Sequence, residues 1–521
     1  MIKMKTELLI IGSGIAGLNL ALKASKYGEV VLVSKDKLEE TNTYYAQGGV
    51  AGVFGKDDSI ESHVQDTLRA GDGISNKQIA TILVRDAPKR IMELKRIGVK
   101  FDLDKKGFRL SREAVHSRSR IVHAKDITGQ EIEKTLVKKV KENKKIKILE
   151  YHSVFELIIA NNKCIGGIFF DIKRDKILSI FSKKIILATG GAGRLYSKTT
   201  NPEIATGDGL AIAFRAGAVL EDMEFVQFHP TMLNNSNPVF LISETLRGEG
   251  GLLKNRHGKT YMKKYHRDGE LAPRDVVSLF SIIEMKKTGS RNVFLDVTHF
   301  DPKYLKARFP YIDRECMKYN IDLTKNMIPV CPAAHYICGG VKTDSYGRTN
   351  IKNLYAIGEC ACTQLHGADR LASNSMTEGL VFGTRLIEKV KNELKKEKIV
   401  EAEELEVTIS PVKNGKIEKL KKQLQEIMWK YVGIIRNKKG LNIAKENIRK
   451  IKKKLDVIRV IGTNKEIAEL ENMILIGQII ILSALRRKES RGTHFIEDYP
   501  ERHDNIWITH LSVDKEHSKL K

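Results

Sequence analysis

The chain of 521 residues carries 90 Lys and Arg against 64 Asp and Glu, a net charge of +26, and 41% of it is hydrophobic. That length accommodates about three domains with a large core, and no segment reaches the ~20 apolar residues that cross a bilayer, the nearest being Met473 to Leu485, interrupted by Gly477 and Gln478. The lysines are spread over helical faces and loops without an interleaved aromatic platform, which argues against a nucleic-acid partner, and the first apolar run serves a strand rather than a signal peptide, so a cytoplasmic, membrane-free protein is expected.

Leu8 to Ile11 form an apolar strand that feeds into Gly12-Ser13-Gly14-Ile15-Ala16-Gly17, and a helical pattern follows through Leu18, Leu20, Leu22 and Ala24. In such a unit the first glycine permits the turn, the second admits a pyrophosphate to the backbone and the third lets helix approach strand, while the helix N-terminus offers N–H donors. A dinucleotide is the expected occupant. The acid that would hold an NAD ribose about 20 residues further on is missing, because the second strand, Val30 to Val33, ends in Ser34 and Lys35. An ordinary NAD site is therefore disfavoured.

Thr41 to Gly49 is polar and glycine-ended, as a loop wrapping a cofactor or a plain turn would be. Asp66 to Gly98 is helical in pattern. Arg109 to Arg120, with Glu113, His116, Arg118 and Arg120, is dense in charge and reads either as a solvated loop or as an anion-binding wall. Lys145 to Asp171 alternates as strands do. A short strand from Lys184 to Ala188 runs into Thr189-Gly190-Gly191-Ala192-Gly193, and Leu354 to Ile357 leads into Gly358-Glu359. Three strand ends with glycine turns, one of them closed by an acid, form the pattern of flavoproteins of the two-dinucleotide type.

Residues 224–334 differ in character and read as a cap inserted between strands of one sheet; clefts between domains are where substrates sit. From Glu388 the chain turns to Lys-rich helix. Its stripes Ile417, Leu420, Leu424, Ile427, Met428, Tyr431, then Ile448, Ile451, Leu455, Ile458, then Ile467, Leu470, Ile474, Ile481 predict a packed bundle, with Asn414 as a candidate cap. The expected class is α/β: a Rossmann-like dinucleotide-binding domain (1–223 and 335–387), an inserted α+β capping domain (224–334) and a C-terminal helical bundle domain (388–521). The six cysteines suggest no disulfide framework, and Cys360-x-Cys362 lacks the partner pair of a metal site, so no metal is expected.

Together these stretches resemble the flavoprotein family of succinate dehydrogenase, fumarate reductase and L-aspartate oxidase, from Thr6 to about Trp507. The markers are Asn42 to Gly49, Phe228-His229-Pro230-Thr231, Leu246-Arg247-Gly248-Glu249-Gly250, Ala272-Pro273-Arg274-Asp275, Pro332-Ala333-Ala334-His335-Tyr336 and His366 to Ser375. Met428 to Ile434 and Glu489-Ser490-Arg491-Gly492-Thr493-His494 are similar to the L-aspartate oxidase branch. Membrane-bound relatives carry a histidine bonded to FAD in the wrapping loop; here that place is Asn42, which implies non-covalent FAD. Glu113 stands where aspartate oxidases have a glutamate suited to an ammonium group.

The resemblance implies FAD contacts at Gly12, Ser13, Gly14, Ile15, Ala16 and Gly17, at Lys35, and along Asn42, Thr43, Tyr44, Tyr45, Ala46, Gln47, Gly48 and Gly49. Asp208, Glu359, Ser375 and Met376 complete the set. It implies oxidation of L-aspartate to iminoaspartate, with oxygen or fumarate as acceptor and quinolinate synthase as consumer of the product. Arg370, His335 and His229 would bind carboxylates and Glu113 the amino group, with Arg274 as the proton-transferring residue fed by Arg247 and Glu244. Charge-assisted Arg–carboxylate bonds suit such a dianion. Three departures from the branch stand out: Ala114-Val115 replaces glycines, Asp369 an asparagine and Thr377 an apolar residue. The alternative is a soluble fumarate reductase or succinate dehydrogenase flavoprotein subunit.

Overall fold

The computed structural model describes residues 2–518 apart from 106, 235, 237, 238, 403–414 and 461, so the candidate cap Asn414 lies outside the described residues. The chain opens with strand β1 (Ile2–Ile11), helix α1 (Ile15–Ala24) and strand β2 (Val30–Val33). Leu8 to Ile11 and Val30 to Val33 are buried on both faces, which is why they read as continuous apolar runs rather than alternating ones. Strands β3 (Ile146–Leu149), β4 (His152–Ala160), β5 (Lys163–Asp171) and β6 (Lys176–Leu187) extend the sheet to the order β3-β2-β1-β6-β5-β4.

The strand expected over Lys184 to Ala188 is thus 12 residues long. Its first half pairs antiparallel with β5, and its last three residues pair parallel with a strand that arrives much later. The sequence hid this because two different partners share one edge.

The inserted segment builds its own antiparallel sheet from β7 (Val226–Leu233), β8 (Leu252–Lys254), β9 (Val293–Asp296) and β10 (Ile328–Ile337), ordered β7-β10-β9-β8. Helix α2 (Arg274–Thr288) packs across β7 and stops at Gly289, which takes a left-handed φ of +60°. β10 runs through the expected cap boundary at residue 334 and carries His335 with it. β11 (Leu354–Ala356) then joins β6, so that β1, β6 and β11 lie side by side and parallel, with all three glycine turns at their C-terminal ends. Ligands of open α/β sheets bind at such strand ends.

Helix α3 (Asn374–Leu394) packs on α1 and passes through the expected boundary at residue 387. Its lysines are only its solvent face, since Leu386, Ile387, Val390 and Leu394 are buried. Beyond it come α4 (Gly415–Val432), α5 (Lys438–Arg459) and α6 (Lys465–Arg486), whose apolar stripes interlock as expected. Helix α6 is, by length and composition, apolar enough to cross a membrane, contrary to the expectation from sequence; 78% of its apolar window is buried within the protein. It lies between α4, α5 and the helix Asp208–Arg215, so it is buried on more than one face.

Candidate active site

The three glycine turns converge on a cavity of about 580 Å³, within the range of ligand pockets. A Cβ at Gly12, where φ is +115°, would collide with the Ala188 carbonyl, and one at Gly17 with the Gly12 carbonyl. The two contacts lock β1, α1 and the β6 turn together, with the α1 N-terminus facing the cavity. Ser13 Oγ lies 2.9 Å from Ser34 Oγ and donates to Leu38 O, so this hydroxyl serves the loop after β2. Thr43 Oγ1 accepts from Ile15 N at 3.0 Å and ties the wrapping loop to the turn.

Gly12 to Ala16, Lys35, Asn42, Thr43, Tyr45 to Gly49, Asp208, Glu359, Ser375 and Met376 all line the cavity. Gly17 and Tyr44 stand back from it. Gly17 is consumed by packing, and the Tyr44 ring sits edge-on to Tyr45, beneath Lys134. Lys35 Nζ donates to Asp208 at 2.8 Å and to Thr206 at 2.7 Å, and it pairs with Glu469 of α6 at 2.7 Å. Burial opposes its charge, but these two acids hold its pKa above the ordinary value.

Farther along the cavity, Glu113, His229, Glu244, Arg274, His335 and Arg370 share the wall. Arg274 Nε donates to Glu244 Oε2 at 2.6 Å. Arg247 stands behind the wall, 1% exposed, with Nη2 3.2 Å from the same oxygen. Burial resists ionisation of Glu244, yet Arg274 and Arg247 outweigh it and keep the carboxylate below its ordinary pKa. Glu113 differs: burial and the neighbouring Glu244 raise it, and Ser373 Oγ donates to it at 2.6 Å.

His229 and His335 lie edge to face, 5.1 Å between centroids. Burial, then Arg274, drives both well below the ordinary histidine pKa, so both rings are neutral. Thr231 N–H donates to His229 Nδ1, which places the ring proton on Nε2 as a donor. Arg370 rests over the Tyr336 ring at 4.1 Å.

Two groups escaped the sequence reading. Gln227 Oε1 accepts from both Arg274 Nη1 (2.9 Å) and Arg370 Nη2 (3.0 Å) and fixes their spacing. It lies two residues before His229 on one strand, hence on the same face, which was the available signal. Ser373, the second, orients Glu113. The anion-binding wall expected over Arg109 to Arg120 does not form: Arg120 is wholly buried and bound to Asp58 and Asp66, and only Glu113 of that segment's named residues reaches the cavity. Nor is it solvated throughout: Arg109, Arg112 and Arg118 are exposed, while Glu113, His116 and Arg120 are buried.

Residues 7–376 match the FAD binding domain family, and residues 421–521 match the fumarate reductase flavoprotein C-terminal family. A chloroplastic L-aspartate oxidase of Oryza sativa subsp. japonica is 40% identical over 95% of this chain and 82% of its own. An L-aspartate oxidase of Yersinia pestis is 39% identical over 96% of this chain and 97% of its own. The chain belongs to the L-aspartate oxidase family. A quinol fumarate reductase FrdA structure from E. coli superposes with a TM-score of 0.91 at 29% identity, covering 99% of this chain and 95% of that one. The L-aspartate oxidase family thus shares its fold with fumarate reductase.

The cofactor is FAD, and the residues fit it. Three glycine turns leave backbone exposed along one wall, while Gln47 Oε1 and Arg370 Nε are buried at the cavity without a hydrogen-bond partner. Glu359, closing β11, is raised by burial to about 7 and accepts from Ile337 N at 3.1 Å.

Proposed function

We propose that this chain oxidises L-aspartate to iminoaspartate, the first step of de novo NAD synthesis, with FAD held non-covalently. The observation that carries the reading is the meeting of one buried acceptor, Glu113, with Arg274, Arg370 and two neutral histidines on a single wall beside the glycine turns. Aspartate offers two carboxylates and one ammonium, and this wall offers cationic and neutral donors for the first and an acceptor for the second. FAD, when bound, supplies the hydride acceptor and is regenerated by oxygen, giving hydrogen peroxide, or by fumarate.

In this reading Arg370, His229 Nε2–H and His335 orient the carboxylates, and Glu113 takes the ammonium. Arg274 handles the proton near Cα. A lone guanidinium is a poor base, but Glu244, ionised between Arg274 and Arg247, gives a departing proton a partner and Arg247 passes it onward. Asn42 bears no nucleophile for a flavin bond; its amide donates to Glu359 at 3.4 Å instead. Iminoaspartate is unstable in water, which makes quinolinate synthase its natural consumer. The proposed compartment is the cytoplasm, supported by six buried cysteines that are all free.

Mixing the FAD-loaded protein with L-aspartate without oxygen tests the reading. Bleaching of the oxidised flavin by aspartate, and not by succinate or L-glutamate, is expected. Bleaching by succinate alone would instead make the chain a succinate dehydrogenase or fumarate reductase. Acid denaturation should release all of the flavin into solution; flavin retained on the polypeptide would refute non-covalent binding.

A further inference from the structure

Ser373, which orients Glu113, is itself held in an uncommon conformation. It sits at φ +62° and ψ 1°, in the left-handed region, immediately before helix α3. A residue with a Cβ persists there only where its surroundings hold it. From that position its hydroxyl donates to Glu113 Oε2 at 2.6 Å and accepts from Gly49 N–H at 3.4 Å, while its carbonyl accepts from Ala51 N–H at 3.1 Å. A histidine binds each of its neighbours in the chain: His116 Nε2 lies 3.0 Å from Ala372 O, and His63 Nε2 lies 2.9 Å from Asn374 Oδ1.

Of the two, His116 reaches back to the site. It is wholly buried and shares a loop with Glu113, whose carbonyl accepts from its backbone N–H at 3.3 Å. Arg120 Nη1 stands 3.1 Å from its Nδ1. A guanidinium has no lone pair, so Nδ1 accepts; a carbonyl has no proton, so Nε2 donates. One neutral tautomer satisfies both bonds. Arg120 is fixed in turn by Asp58 at 2.8 Å and Asp66 at 2.5 Å. The bonds close a ring that runs from Glu113 along its loop to His116, across to Ala372, and through Ser373 back to the Glu113 carboxylate.

We propose that His116 is a positioning residue for substrate choice: its Nε2–H holds the turn at Ala372 and Ser373, and that turn holds Glu113 in place for an ammonium group. A dicarboxylate without an ammonium group makes no use of the ring. The inference rests on the proposed aspartate site.

Rapid anaerobic mixing of the FAD-loaded protein with L-aspartate reads the dissociation constant and the limiting rate of flavin reduction separately. His116→Phe keeps a buried ring and removes the donor. The aspartate dissociation constant should rise roughly 3- to 10-fold, the loss of one hydrogen bond, with the limiting rate little changed. The dissociation constant of malonate, read from the flavin spectrum, should not move. His116→Gln, whose amide can still donate to Ala372 O, should recover most of the loss, and in a Glu113→Gln background His116→Phe should add nothing. If His116→Phe does not fold, NMR of the FAD-loaded protein labelled with heavy nitrogen at histidine should show a neutral ring protonated at Nε2 that His116→Gln removes. Equal weakening of aspartate and malonate, no recovery by His116→Gln, additive losses in the double variant, or a ring protonated at Nδ1 would overturn the proposal. A parent flavin that aspartate leaves oxidised would sink the substrate reading and this role together; the other outcomes, with the parent active, sink the role alone.

Discussion

Glu113→Gln separates an amino-acid site from a dicarboxylate site. Glu113 is 2% exposed, receives one hydrogen bond from Ser373 and faces the cavity. Glutamine keeps the volume and can accept from Ser373, so the variant removes charge rather than packing. A hydrogen bond to a charged group contributes ~1.5–3 kcal/mol, which at about 1.4 kcal/mol per decade lowers kcat/KM for aspartate by roughly 10- to 150-fold. Binding of succinate should move the other way, since a buried like charge is taken from beside its carboxylates. The acid limb of kcat/KM for aspartate, raised above the ordinary glutamate value of 4.5 by burial and Glu244, should also vanish. Initial rates with aspartate and competition by succinate read both arms. Equal losses for both ligands would refute the assignment.

Glu469→Gln should raise the FAD dissociation constant about tenfold, and in a Lys35→Met background should add nothing, because the buried ion pair acts as a unit; additive effects, measured by flavin fluorescence titration, would disprove the coupling. Val115, a β-branched residue at φ +69° beside Glu113, sits in the left-handed region. Val115→Gly should therefore be more stable than Val115→Ala by about 1 kcal/mol in urea unfolding, and the opposite order would exclude strain. Burial lifts Glu359 from 4.5 to about 7. A raised folded pKa contributes stability that is whole below the unfolded value and lost as pH rises through the folded one. Glu359→Gln should accordingly flatten the Tm of the flavin-free protein between about pH 4.5 and about pH 7; an unchanged curve would locate the titration elsewhere.

The parts of this fold legible in the sequence are those where one short stretch determines its own geometry. The three glycine turns, the strands before them and the stripes of α4, α5 and α6 are local patterns, and they form as read. Features set by partners distant in sequence were hidden. Arg120 looked like an anion site because nothing nearby in sequence reveals Asp58 and Asp66 as its owners. The missed half of β6 is a different case: Lys176 to Phe181 pair with the adjacent β5, and it is the half legible in the sequence, Ile185 to Leu187, whose partner lies some 170 residues downstream. Gln227 carries no chemical signature by itself and gains meaning only between Arg274 and Arg370. Gly17 and Tyr44 belong to the motif, yet packing takes up the first and turns the second away.

The sharing of β6 between β1 and β11 also fixes the order in which a growing chain can become competent. β1 and β6 can pair once residue 187 is made, but the upper edge of β6 waits for Leu354 to Ala356, and Lys35 waits longer still for Glu469. Non-local pairings of this kind are slow and leave strand edges open meanwhile. The nascent protein therefore spends much of its synthesis with a hydrophobic edge uncovered and no complete flavin site to stabilise it. The vulnerable interval is set by translation speed across the residues between the two strands, the inserted cap among them.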